Sequence, residues 1–141
     1  MRVRCQECLD GVGLQVRRQA LLGQHLGQVG TQALLPSSLY IPTATELAPG
    51  STALPWEPAP PPPLVGEFAR WQGSRVPGRL VASANSWLCH PGVDRTAPIL
   101  PWGAPIDVAK LSPTAASSLL LAHMAAAWNH AHPGSPLAAQ E

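Results

Sequence analysis

Charge is what this sequence has least of. Asp, Glu, Lys and Arg make up 12% of its 141 residues, roughly half the usual share of a globular domain. The net charge is +1, and no basic cluster is larger than Arg17-Arg18. A nucleic-acid partner needs several Lys or Arg on one face to neutralise phosphates, so that class is excluded. Long apolar runs are missing too. The best candidate, Leu119 to Trp128, is interrupted by His123 and falls short of the roughly 18 apolar residues that cross a bilayer. No membrane partner is expected. Arg2 and Arg4 are followed by Glu7 and Asp10 with no apolar stretch behind them, which is not a secretory signal. The expected location is the cytoplasm.

Cysteine is scarce and odd in number: Cys5, Cys8 and Cys89. Three thiols cannot make a full disulfide framework. Cys5-Gln6-Glu7-Cys8 has the spacing that places two thiolates on one metal, but a structural zinc site needs four ligands. The remaining candidates, His25 and the pair Cys89-His90, are distant and isolated, so no metal is assigned. A redox role for the Cys5 and Cys8 pair requires a strand before it and a helix after it. Its Gly-rich surroundings do not offer them.

Phe and Tyr occur once each, and most of the aromatic content is five Trp. Much of the apolar fraction is alanine, which buries little area. Pro and Gly, by contrast, number 17 and 12, well above average usage. The composition describes a thin, loop-rich domain. A chain of this length buries roughly two-thirds of its unfolded surface.

Residues 1–33 show no clear period, although Arg17 to Leu26 could form a short helix weakened by Gly23 and Gly27. Leu34 to Pro42 is a short apolar run suited to a strand at Leu39, Tyr40 and Ile41, and its prolines suggest an edge or an end. Thr43 to Pro63 reads as a turn-rich loop ending in PAPPPP, a polyproline II composition. Gly66 to Gln72 predicts two helical turns stopped by Gly73 and Pro77, with Glu67 placed to suit the helix dipole. Leu80, Ala84 and Leu88 recur at i, i+4 and i+8, the spacing of a second short helix. Asp94 to Pro105 is a Pro-punctuated loop carrying Trp102. The strongest element starts with Ser112 as N-cap and Pro113 at the first helical position. Ala116, Leu119, Leu120, His123 and Ala127 share one of its faces, and Pro133-Gly134 ends it.

Several of these segments fall in a recognisable order. Leu35-Pro36-Ser37-Ser38-Leu39 leads into a strand. Val65-Gly66-Glu67-Phe68-Ala69-Arg70 opens a helix, Ala84-Asn85-Ser86-Trp87-Leu88 forms a short helical segment, and Ser112-Pro113 starts the long helix. This series resembles the nucleotide-binding domain of the seventy-kilodalton heat-shock chaperones, over residues 34–141. The loop Cys89-His90-Pro91-Gly92-Val93-Asp94-Arg95 is similar to one in divergent bacterial members. The resemblance implies an α/β fold: a partial actin-like ATPase (ribonuclease H-like) lobe, helix-rich, with one or two short strands and long Pro-rich loops. Residues 1–33 would be an irregular segment outside the resemblance, and residues 55–63 a Pro-rich loop within it.

The resemblance further implies ATP and Mg as cofactors, and unfolded client proteins as partners through regions that this sequence does not contain. It also marks departures. Where the family has a lysine at the γ-phosphate, this sequence has the neutral Asn85. Where a phosphate loop Asp-x-Gly-Thr-Thr is expected, it has Asp10-Gly11-Val12-Gly13. Phosphoryl transfer needs positive charge where negative charge develops. No ATP turnover is expected from this chain, and a truncated or frame-shifted reading frame would account for residues 1–33. Helices evolved to cover a larger sheet would then expose Leu and Trp and favour self-association or a molten state.

Two other functions fit the residues alone. Trp56-Glu57-Pro58 to Pro63 could serve a small non-enzymatic interaction protein as a polyproline ligand. His90, His123, His130 and His132 could supply a catalytic base, but no Asp or Glu stands near the last three in sequence, and no nucleophile, base and acid trio is readable.

Overall fold

The computed structural model describes residues 14–17, 29–32, 34–59 and 62–140. Strand β1 (Leu14–Arg17) and strand β2 (Val29–Gln32) pair antiparallel, Leu14 opposite Gln32 and Arg17 opposite Val29. The expected irregularity of residues 1–33 is therefore corrected for these two stretches. Arg17 ends a strand rather than starting a helix, and residues 18–28 lie outside the described residues.

The second sheet has three short strands in the order β4-β3-β5. Strand β3 (Ser38–Tyr40) is central, with β4 (Leu64–Val65) and β5 (Leu80–Ala82) antiparallel on its two sides. Leu39 stands opposite both Val65 and Val81, and Tyr40 opposite Leu64 and Leu80. The prolines of this run suggest an edge or an end, and β3 is not an edge strand. Its prolines, Pro36 and Pro42, flank the ladder instead of sitting in it, so all three β3 residues can pair and all three are buried.

Helix α1 (Glu67–Arg75) packs against one face of this sheet. It starts on Gly66, whose φ of 90° is a conformation that favours glycine. The Gly66 amide donates to the Ser38 carbonyl at 3.0 Å, so the turn also extends the strand pairing. The helix was expected to stop at Gly73 but continues to Arg75. Glu67 pairs with Arg70 at 2.6 Å, and the Arg75 guanidinium lies 4.9 Å from the Trp71 ring centre.

The reading of Leu80 to Leu88 as one helix is corrected as well. Leu80–Ala82 is strand β5, and only Ala84–Leu88 is helical, as α2. Ser83 separates them with a left-handed φ of 55°, a strained geometry for a residue other than glycine. Backbone pairing of Leu80–Ala82 with β3 outweighs the helical spacing of three apolar side chains.

Helix α3 (Pro113–Ala131) follows its sequence closely. The Ser112 side chain accepts from the Ala115 amide at 3.1 Å, Pro113 occupies the first turn, and His132 is the C-cap. At about 1.5 Å per residue it is nearly 30 Å long. No helix among the described residues is long and apolar enough to cross a membrane.

The core lies between the sheet and the α2–α3 pair. Leu39, Val81, Ala84, Leu100, Ala116 and Leu120 form it, with Trp87, Ile99, Leu111 and Leu119 packed around them. Leu100 and Leu111 exchange backbone hydrogen bonds of 2.9 and 2.7 Å, which ties the loop between α2 and α3 to this centre. Among the described residues the fold is mixed α/β with five short strands rather than one or two, and α3 rests on a sheet the chain itself supplies.

The opposite face of the sheet holds a polar cluster. The Tyr40 hydroxyl donates to Glu46 Oε1 at 2.6 Å, the Gln72 amide donates to the same oxygen at 2.6 Å, and the Thr43 amide donates to Oε2 at 3.0 Å. A buried tyrosine hydroxyl needs such a partner. Burial first, and then the hydrogen bond and charge of Glu46, push the Tyr40 hydroxyl up to about 12. Burial alone would raise the Glu46 carboxyl, but hydrogen bonds from Tyr40, Thr43 and Gln72 outweigh it and hold it below its ordinary range.

These shifts predict a spectroscopic result. An unfolded tyrosine ionises near about pH 10. Tyr40, with its folded value raised, contributes stability that is complete below that pH and disappears as pH rises through about 12. The chain has one tyrosine, so its ultraviolet absorbance is a clean reporter. Tyrosinate is expected to appear close to pH 12 or together with alkaline unfolding; ionisation near pH 10 in the folded protein would show that the cluster does not form.

Candidate functional site

Asn85, the residue standing where a phosphate-contacting lysine was expected, sits in the first turn of α2. The Ser117 hydroxyl of α3 donates to its Oδ1 at 3.1 Å, so the side chain ties the two helices together. At the other end of α2, Arg95 Nε donates to the Leu88 carbonyl at 2.7 Å. A triphosphate needs positive charge, which Asn85 does not carry, and its Oδ1 is taken by Ser117. Asp10 to Gly13, which stands where the family's phosphate loop is expected, lies outside the described residues, as do Cys5, Cys8 and His25.

The Cys89–Arg95 loop is pinned at both ends. Beyond the Arg95 bond to α2, the Arg95 carbonyl accepts from the Thr114 amide at 3.1 Å and the Thr114 hydroxyl at 3.0 Å. Asp94 Oδ1 accepts from the Thr96 amide and hydroxyl, and these bonds hold its carboxyl below the usual range. Cys89 and His90 are exposed. Next to them Trp87 and Trp102 stack with ring centres 5.2 Å apart, and Trp102 is 70% exposed. Ile106 and Leu121 are exposed too.

The histidines separate into three places. His90 Nδ1 accepts from the Gly92 amide at 3.2 Å. His132 stacks on Trp128 at 4.3 Å, closing the end of α3. His123 and His130 both meet Trp56, with ring centres at 5.5 and 5.7 Å. Burial pushes the His123 imidazole below its ordinary value, and its Nε2 has no hydrogen-bond partner. None of the four pairs with a carboxylate among the described residues. No group of three or more metal-ligating side chains converges among the described residues.

The Trp56 contact also places the loop over residues 52–57. Trp56, the first residue of the expected polyproline ligand Trp56 to Pro63, lies half-buried against α3. Pro58, Ala59 and Pro62 are exposed. Beneath Trp56 is a cavity of about 330 Å³, lined by the loop, by Leu64, Val65 and Phe68, and by Leu119, Ala122, His123 and Ala126 of α3. Sequence reasoning missed it because its walls come from three distant segments. The one local signal was Trp56, too large and apolar for an idle loop position.

Neither a family model, nor a curated protein, nor a solved structure matches the chain.

Proposed function

We propose that this chain carries part of the outer subdomain of an actin-like ATPase lobe of the seventy-kilodalton heat-shock type, and that it does not turn over ATP by itself. One observation carries this reading: each of the four ordered motifs falls on an element boundary that its residues explain physically. Leu35-Pro36-Ser37 runs into β3, and Gly66 of Val65-Gly66-Glu67 supplies the positive φ that opens α1. Ala84 starts α2 directly after the left-handed Ser83, and Ser112-Pro113 caps and starts α3. Residues at such boundaries fix where the chain turns, which is what a lobe that positions a nucleotide requires of its frame.

The chemistry argues for inactivity. Asn85 carries no charge to place against a γ-phosphate, and its oxygen is already bonded to Ser117. Incubation with Mg-ATP is expected to release phosphate at the background rate. Sustained release, abolished by heat denaturation of the chain, would overturn the proposal.

A further inference from the structure

We propose that the cavity beneath Trp56 is a binding site for a small aromatic primary amine. Its volume of about 330 Å³ lies at the lower end of the range occupied by small-molecule sites, which are mostly apolar with a few polar groups that orient the ligand. The walls have that character. Leu64, Phe68 and Leu119 offer an apolar bed, and the Trp56 and His123 rings offer aromatic faces.

The polar groups select the charge of the ligand. Glu57 lines the cavity and is solvent-exposed, so it stands at the mouth, and it has no ion-pair partner among the described residues. Thr52 adds a hydroxyl. His123, in the wall, is kept neutral at physiological pH because burial disfavours its charged form. His130 also packs against Trp56, with ring centres 5.7 Å apart. The site therefore presents one uncompensated negative charge beside an indole, the combination that recognises an ammonium group attached to an apolar ring. An ammonium at the mouth meets Glu57 while its ring displaces water from the apolar bed. This inference concerns a different part of the molecule from Asn85 and does not rest on the ATPase reading.

The test uses the full chain and two probes of similar shape, phenethylamine and the uncharged 2-phenylethanol, titrated while amide resonances are followed. Saturable shifts are expected at Leu64, Phe68 and His123. Glu57→Gln is expected to weaken phenethylamine about fivefold and to leave 2-phenylethanol unchanged, the size of effect an exposed ion pair supplies. Ala122→Trp fills the cavity from an exposed position, so the domain still folds, and it is expected to abolish binding of both probes. The proposal is overturned if phenethylamine gives no saturable shifts at these residues. It is equally overturned if Glu57→Gln leaves its affinity unchanged, or if Ala122→Trp binds both probes as before.

Discussion

Leu39→Ala is expected to destabilise the domain by about 2–5 kcal/mol, the range for truncating a fully buried leucine in a core that cannot collapse around the gap. Leu39 has no exposed surface, pairs with strands on both sides, and meets Leu100, Ala116 and Leu120 from the loop and α3. Its removal loosens the sheet and the helical layer together. Native domains are held by only about 5–15 kcal/mol, so much of the folded population is at stake. Urea denaturation reads the effect, with Leu121→Ala as the control. Leu121, on α3, is 65% exposed, and its truncation should shift stability by no more than about 0.5 kcal/mol. A Leu39→Ala loss no greater than that of the control would mean that no core closes around β3.

Gly73→Ala sets two effects of opposite sign against each other. In an exposed helix interior, replacing glycine by alanine gains close to 1 kcal/mol. At Gly73 a Cβ would lie 2.5 Å from Leu80 Cδ1, 2.7 Å from its Cβ and 2.8 Å from its Cγ. The tip of a leucine can swing away, but its Cβ is fixed to strand β5. Either α1 lifts off the sheet or β5 shifts, and overpacking of this kind costs about 1–3 kcal/mol. The clash wins, and the substitution is expected to lower the thermal midpoint. A raised midpoint would show that α1 does not approach β5 so closely. Gly50→Ala distinguishes steric from conformational cost, since Gly50 has a φ of 74° and no atom within 4 Å.

The same glycine explains what the sequence left illegible. Read along the chain, Gly73 is a helix breaker, and α1 was expected to stop there. Read in space, it is the residue that lets a helix touch a strand. Leu80 to Leu88 failed similarly, because three apolar residues at helical spacing cannot reveal that the first belongs to a ladder with β3. Helix α3 was legible from end to end, since Ser112, Pro113 and the Pro133-Gly134 stop all act locally. Tyr40 was legible only as a strand residue. That its hydroxyl would meet Glu46, backed by Gln72 from α1, depended on how the loop folds over the sheet.

Asn85 shows the same division at the candidate site. Its neutrality was evident in the sequence, and its bond to Ser117 was not. The cavity under Trp56 was invisible, because Glu57, Phe68 and His123 approach one another only after α1 and α3 have packed on the sheet. Local signals placed the elements that carry their own caps. Everything that depends on two segments meeting required the fold.

Amide hydrogen exchange on the intact chain tests most directly whether β3 is the pivot of a closed domain. The amides of Leu39, Tyr40, Leu100 and Leu111 are expected to exchange slowest and with one common opening free energy, equal to the global stability from denaturation. Rapid exchange at β3 while α3 remains protected would contradict it, leaving a lone helix beside an unformed sheet.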